Sequence, residues 1–141
     1  WFERCSKDKT IINLIFEKEL SPVGFISFSK INAKQGIADW AFYSGKNQIR
    51  GIGTIMELCA LRYAFEKLKL RKLCCEVLSF NESVINFHKK FGFKEEGVRR
   101  MHYIRKGIAY DIHQLAIFKS TWKQEIEAME TKFLRDTKVI M

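Results

Sequence analysis

The sequence predicts a mixed α/β domain, with three strands in an antiparallel meander before strands and helices begin to alternate. Three observations carry that expectation. Runs rich in branched and aromatic residues lie at 11–16, 23–32 and 37–43, joined by links too short for crossover helices. The period then lengthens. Across 52–68, with Lys69 following, the polar residues Thr54, Glu57, Arg62 and Glu66 mark a narrow stripe on an otherwise apolar helix, buried over more than half its circumference. Strand character returns at 73–78, so that helix is the crossover of a β-α-β unit whose strands should be parallel and right-handed.

Residues 1–8 read as the end of a helix whose beginning is not present. Leu20-Ser21-Pro22 closes the first strand, and the second carries an irregularity near Phe25 where its alternation changes phase. Ala33-Lys34-Gln35-Gly36 turns into the third. After 73–78, Asn81 is placed to cap a short helix over 82–91, with Glu82 in its first turn and Gly92 just past its end. Strands at 93–104 and 108–118 flank a Lys106-Gly107 hairpin turn, and Ser120 opens a polar helix running towards Leu134. The order is β-β-β-α-β-α-β-β-α. With no repeat, Pro-rich linker or low-complexity tract, 1–141 reads as a single domain in which 120–141 is a polar C-terminal helix and tail.

Composition narrows the function classes. Of 141 residues, 47% are hydrophobic and 13% aromatic, enough to build a core without disulfides or metal, which excludes intrinsic disorder as the main state. Lys and Arg number 25 against 16 Asp and Glu, a net charge of +9, so an anionic partner is expected: nucleic acid, an acidic membrane, or a phosphate-bearing small molecule. The basic clusters are Lys67, Lys69, Arg71 and Lys72, then Arg99, Arg100, Arg105 and Lys106. Neither has the interleaved aromatics of a nucleic-acid face, so no nucleic acid is expected. No apolar run approaches the ~18 residues of a membrane span. Cys5, Cys59, Cys74 and Cys75 form no C-x-x-C pair, so no metal is expected and a reducing cytoplasm fits. His102 and His113 have no partner at readable spacing. The chain opens Trp1-Phe2-Glu3-Arg4 without Met, which suggests N-terminal truncation.

The sharpest local feature is Gln48-Ile49-Arg50-Gly51-Ile52-Gly53-Thr54, at the strand-to-helix junction. Glycines there permit positive φ and close approach of a ligand, the first helical amides lack intrahelical acceptors, and Arg50 adds a cation, so the corner suits a phosphate. A plain tight turn explains two glycines equally well. The spacing fits neither a Walker loop nor a dinucleotide fingerprint.

Gln-x-x-Gly-x-Gly opening a helix resembles the pyrophosphate-binding motif of the GNAT superfamily of acetyl-CoA-dependent N-acyltransferases, and so does the order of elements around it. Downstream, Cys75-Glu76-Val77, Asn81 and Phe87-His88-Lys89-Lys90-Phe91-Gly92-Phe93 are similar to that superfamily's later segments. Trp1-Phe2, Pro22-Val23-Gly24, Asp39 to Tyr43, Tyr63-Ala64-Phe65 and Gly92 to Gly97 resemble, within it, the sugar N-acetyltransferases of pseudaminic acid biosynthesis. The likeness extends from Trp1 to about Trp122, with the family's first strand and most of its first helix absent.

The resemblance implies acetyl-CoA as cosubstrate and, as acceptor, the 4-amino group of a UDP-linked amino-deoxy sugar, attacked directly in a ternary complex. It implies cofactor contacts from Phe42, Tyr43, Ser44, Gln48, Ile49, Arg50, Gly51, Ile52, Gly53, Thr54, Asn81, Ser83 and Phe87. Acceptor contacts fall to Ser27, Asp39 and Trp40. Tyr43 could equally be core, and Ser27, Asp39 and Trp40 surface or filler residues. Glu76 shares its strand face with Cys74 and Leu78 and is the base by resemblance, acting through water; burial would raise its pKa, while the plain reading is a solvent-facing Glu at a sheet edge. His88 stands where the family has a Tyr that protonates the departing thiolate. An imidazolium can donate the same proton, although a histidine on that apolar helical face is more often a packing residue. A protein N-terminus or another small amine remains as acceptor, as do a non-catalytic basic module binding RNA or CoA and a homo-oligomer.

Overall fold

The computed structural model describes residues 9–18, 21–44 and 51–137. The expected helix end at 1–8 lies outside them. Strands β1 (Ile12–Lys18), β2 (Ser21–Asn32) and β3 (Ile37–Ser44) precede helix α1 (Ile52–Arg62) and a π-helical turn at Tyr63–Lys67. Then come β4 (Lys72–Leu78), α2 (Glu82–Lys90), β5 (Lys94–Arg105), β6 (Ile108–Phe118) and α3 (Lys119–Thr137). The order is the expected one, in a six-stranded mixed sheet ordered β1-β2-β3-β4-β6-β5. Two compact units, Trp1–Cys74 and Cys75–Met141, divide within β4.

In the first unit β1, β2 and β3 form the antiparallel meander, and β3 runs parallel to the start of β4 through Ile37↔Lys72, Ala38↔Leu73 and Asp39↔Cys74. Strand alternation buries Ile26 and Phe28 on β2 and Ala38 and Trp40 on β3, all on one face. α1 packs on β2 and β3 and contributes Ile52, Met56, Ala60 and Leu61 to this core. The β2 irregularity sits at Val23, where Phe16 pairs with Gly24 but Glu17 with Pro22, close to its expected place. A second, unforeseen one follows Ser29, where Lys30 takes φ 50. Arg71 is exposed yet held in place: its Nε donates to the Gln35 carbonyl at 2.7 Å, and its N–H to Gly36 O at 2.8 Å. The turn at 33–36 is thereby tied to the start of β4.

The long helix departs from expectation in its last turn. Leu68 N–H reaches back five residues to Tyr63 O at 2.9 Å, a π-type bond. This wider turn rotates each residue by less than an α-turn does, which suits the consecutive residues Ala64 and Phe65, both fully buried. Glu57 corrects the expected polar stripe, because it too is fully buried. Cys59, Arg62 and Glu66, spaced three and four apart, face solvent, as does Lys67, whereas Glu57 lies three and four residues before buried Ala60 and Leu61.

In the second unit β6 pairs antiparallel with β5, and α3 packs on β6. Lys106 at φ 50 and Gly107 at φ 78 give the hairpin turn two successive left-handed residues, as a type I′ turn requires. Cys75, Val77, Ile85, Phe91, Phe93, Leu115, Ala116, Ile117 and Trp122 are buried here. Among the described residues no helix is long and apolar enough to cross a membrane.

His113 finds the partner that spacing did not show: its Nδ1 hydrogen-bonds the Glu95 carboxylate, and Lys89 Nζ lies 3.5 Å from the other oxygen. The His113 hydrogen bond holds the Glu95 carboxyl below the usual carboxylate range, opposed by desolvation and helped by the charges of His113 and Lys89. A lowered folded pKa means that this contribution is complete above the unfolded carboxylate pKa of about 4.3 and is lost as pH falls through the lower folded value. Glu95→Gln is therefore expected to make the acid limb of a stability-versus-pH curve shallower, by a small amount since the pair is partly solvated. Urea titrations from pH 7 down to 3 measure it.

Candidate active site

The first unit supplies the glycine corner. Gly51 is the N-cap of α1 at φ 83, ψ 0, a left-handed conformation that glycine takes without steric cost, and Ile55 N–H bonds its carbonyl at 3.2 Å. No side chain caps the helix and no acidic residue stands in its first turn, so the amides of Ile52, Gly53 and Thr54 have no intrahelical acceptor and no carboxylate beside them. A Cβ built on Gly51 meets nothing within 4 Å, which leaves the backbone open to approach. The corner fits an anionic phosphate such as those of CoA. Gly53 departs from its expected role: it lies inside α1 and takes no positive φ, so what it offers is the lack of a side chain on the first turn. Gln48, Ile49 and Arg50 lie outside the described residues.

The meander sorts the candidates on β2 and β3 by face. Register pairs Ser27 with Ala41, Ser29 with Asp39 and Phe25 with Tyr43, so Ser27, Asp39 and Tyr43 share the face opposite the core. Tyr43 is 64% exposed and stacks on Phe25 at 6.2 Å between ring centroids, which removes the core alternative for it. Asp39 lies 3.9 Å from Lys30 Nζ. Trp40 is turned away from these residues. It is 3% exposed, on the core face, and stacks with Phe42 at 5.4 Å, which corrects its assignment as an acceptor contact. Ser44 ends β3.

The second unit supplies the titratable candidates. Leu73, Cys75 and Val77 take the buried face of β4, so Glu76 points the other way with Cys74 and Leu78, as alternation predicts. Glu76 is exposed, and the expected burial does not occur. The printed pairing of β4 with β3 ends at Cys74, two residues before Glu76.

Three residues beyond β4, Asn81 is the N-cap of α2, and its carbonyl accepts Val84 and Ile85 N–H at 3.0 and 3.1 Å. Its side chain makes no capping bond and is exposed, as is Ser83, so both stand at an uncapped helix start. Phe87 is half-buried and packs edge-on to Phe91 at 5.1 Å. His88 is 4% exposed, with Phe93 at 5.3 Å and Phe87 at 6.1 Å from its ring.

One buried polar residue escaped the sequence reading. Glu57 is a fully buried carboxylate one turn into α1 from the glycine corner, and counting its neighbours at three and four residues would have revealed it. Among the described residues no group of three His, Cys, Asp or Glu converges to hold a metal.

Comparison with known proteins supplies the family. Over 116 residues the chain is 31% identical to the SPbeta prophage-derived uncharacterized N-acetyltransferase YokL of Bacillus subtilis (strain 168), a match covering 79% of this chain and 63% of that protein's length. Among solved structures it superposes on a Vibrio cholerae spermidine N-acetyltransferase in complex with CoA and spermine, with TM-score 0.82, 20% identity and coverage of 87% and 74% of the two chains. The spermidine/spermine N-acetyltransferase SpeG from Vibrio cholerae in complex with manganese ions gives TM-score 0.82 at 21% identity, covering 86% and 73%. At such identity these likenesses establish the fold. Residues 1–94 match the acetyltransferase (GNAT) domain, and the chain belongs to that family.

Proposed function

We propose that this chain carries an acetyl-CoA-dependent N-acetyltransferase acting on a small amine. The observation that supports it most directly is the open corner at Gly51: a left-handed N-cap, a helix start without a side-chain cap and free approach to the backbone, in a chain of the GNAT family. The amides of Ile52 to Thr54 receive the CoA pyrophosphate, with Arg50 beside them in sequence. Asn81 and Ser83, uncapped and exposed, contribute further polar contacts to the same cosubstrate, and Phe87 an apolar one.

Acetyl-CoA supplies an activated thioester carbonyl. Glu76 holds a water that takes the proton from the attacking amine as its nitrogen bonds to the acetyl carbon. His88 returns a proton to the sulfur when the carbon–sulfur bond breaks. Phe87 and Phe93 beside its ring keep bulk water away from it. Placement of the two reactants carries most of the acceleration, and no nucleophilic side chain is required. Ser27 and Asp39, on one face of the meander, contribute to acceptor binding.

The acceptor is where the sequence resemblance and the comparisons part. The two structural neighbours described above are spermidine or spermine N-acetyltransferases, and the small-amine alternative fits them better than the UDP-linked amino sugar does. Release of free CoA thiol from acetyl-CoA by the full-length protein decides it, with spermidine, shorter amines, an N-terminal peptide and the UDP-4-amino sugar offered in turn. Release driven by a small amine is the expected result. Release with the sugar or peptide alone overturns the acceptor, and acetyl-CoA binding without release to any amine overturns the activity.

A further inference from the structure

The β5–β6 hairpin carries an irregularity that its sequence does not announce. Arg99 pairs with Ile112 and Tyr103 with Tyr110, so three residues, Arg100, Met101 and His102, stand opposite Asp111 alone. Met101 takes φ 51, a left-handed conformation that is strained for a non-glycine residue and persists only where its surroundings hold it. Asp111 holds it: Met101 N–H donates to Asp111 Oδ1 at 2.8 Å.

The same residue acts in a second direction. The Asp111 carbonyl accepts Ser79 N–H at 3.0 Å. Ser79 and Phe80 form the turn between β4 and α2, so they lie between Glu76 and Asn81 in the chain. The hairpin grips that turn at two more points. Phe80 meets Tyr110 edge-on at 4.8 Å, and the Arg105 guanidinium lies over the Phe80 ring at 5.5 Å. Phe80 itself is 41% exposed, so hydrophobic burial does little to fix it and these directional contacts matter more.

We propose that Asp111 is a positioning residue: its carboxylate fixes the β5 bulge and its carbonyl fixes the β4–α2 turn, so the hairpin sets the geometry of the segment from Glu76 to Asn81. Bulges beside functional segments commonly re-aim what they touch. Without the carboxylate the bulge relaxes towards ordinary pairing, which displaces Tyr110 and Asp111 against Ser79 and Phe80. This inference rests on the transferase reading for its kinetic consequence and not for its structural one.

The test therefore has two arms. Amide hydrogen exchange at Ser79 and Met101 in Asp111→Ala is expected to speed by about tenfold or more, with Asp111→Asn close to wild type because it keeps the Oδ1 acceptor. Steady-state kinetics should show kcat down about tenfold in Asp111→Ala, restored in Asp111→Asn, and partly restored when Met101→Gly is added to Asp111→Ala, since glycine holds φ 51 unaided. A purely structural role would lower Tm without moving kcat, and that result overturns the proposal. So does unchanged protection of Ser79 in Asp111→Ala. Should wild type turn over no amine, the transferase reading fails while the exchange arm still decides the clamp.

Discussion

Glu76→Gln is expected to lower kcat by about 100-fold or more, the usual worth of a positioned acid–base group, with the acetyl-CoA Kd unchanged within about twofold. Glutamine keeps the shape of the side chain and its hydrogen bonds to water, and loses only the ability to take up a proton. The expectation rests on placement: the alternation of β4 turns Glu76 away from Leu73, Cys75 and Val77, and its exposure leaves room for the water it would hold. Since Glu76 is solvated, its replacement leaves no buried group unsatisfied, and Tm should stay where it is. Isothermal titration with acetyl-CoA and single-turnover kinetics separate binding from chemistry. A kcat within about threefold of wild type would make Glu76 a surface residue and move the base elsewhere.

The second large effect is on stability. Gly92 follows α2 at φ 105, beyond the region that side-chain-bearing residues enter, and its N–H closes the helix on Lys89 O at 3.1 Å. A Cβ there would lie 2.9 Å from Glu125 Oε2, 3.2 Å from Ile117 Cδ1 and 3.4 Å from Thr121 Cγ2. Glu125 can swing away, but Ile117 is 1% exposed and cannot. Backbone strain and overpacking together are expected to cost about 2–4 kcal/mol in Gly92→Ala, a fall in Tm of roughly 10 °C. Glu125→Ala in the same chain should recover only a small part, because the strain remains. Function should suffer as well, since Phe91 and Phe93 N–H both bond the His88 carbonyl and the turn at Gly92 sets that spacing. Thermal unfolding that moves by less than about 2 °C would show that the turn relaxes freely.

Much of the fold was legible because its signals are local. Short runs rich in branched and aromatic residues, joined by short links, announced the meander, the change of period announced α1, and Lys106-Gly107 announced the hairpin turn. The Gly51 corner was legible for the same reason, since a left-handed N-cap before an apolar helix is written in adjacent residues. Glu76 faces as alternation said it would. Its exposure was not readable, because exposure depends on what neighbouring strands and helices place above that face.

The residues that escaped the reading share a cause. Asp111 reaches Met101 across ten positions and Ser79 across the length of α2 and β5, and His113 meets Glu95 across eighteen. Strand register brings each pair together, and register follows from the whole pattern of the sheet, not from spacing along the chain. Trp40 was misassigned for a related reason: it adjoins candidate residues in sequence, but a strand sends neighbours to opposite faces, and which face is covered depends on where α1 packs.

The sequence by itself determined the order of elements, the family motif and the residue types that the chemistry needs, because periodicity, turn chemistry and capping act over a few residues. Only the tertiary structure decided that Glu57 is buried, that the last turn of the long helix widens, and that the hairpin holds the turn after β4. Those outcomes follow from packing and pairing between distant segments, where the cost of a poor fit is settled by the neighbours and not by the residue alone.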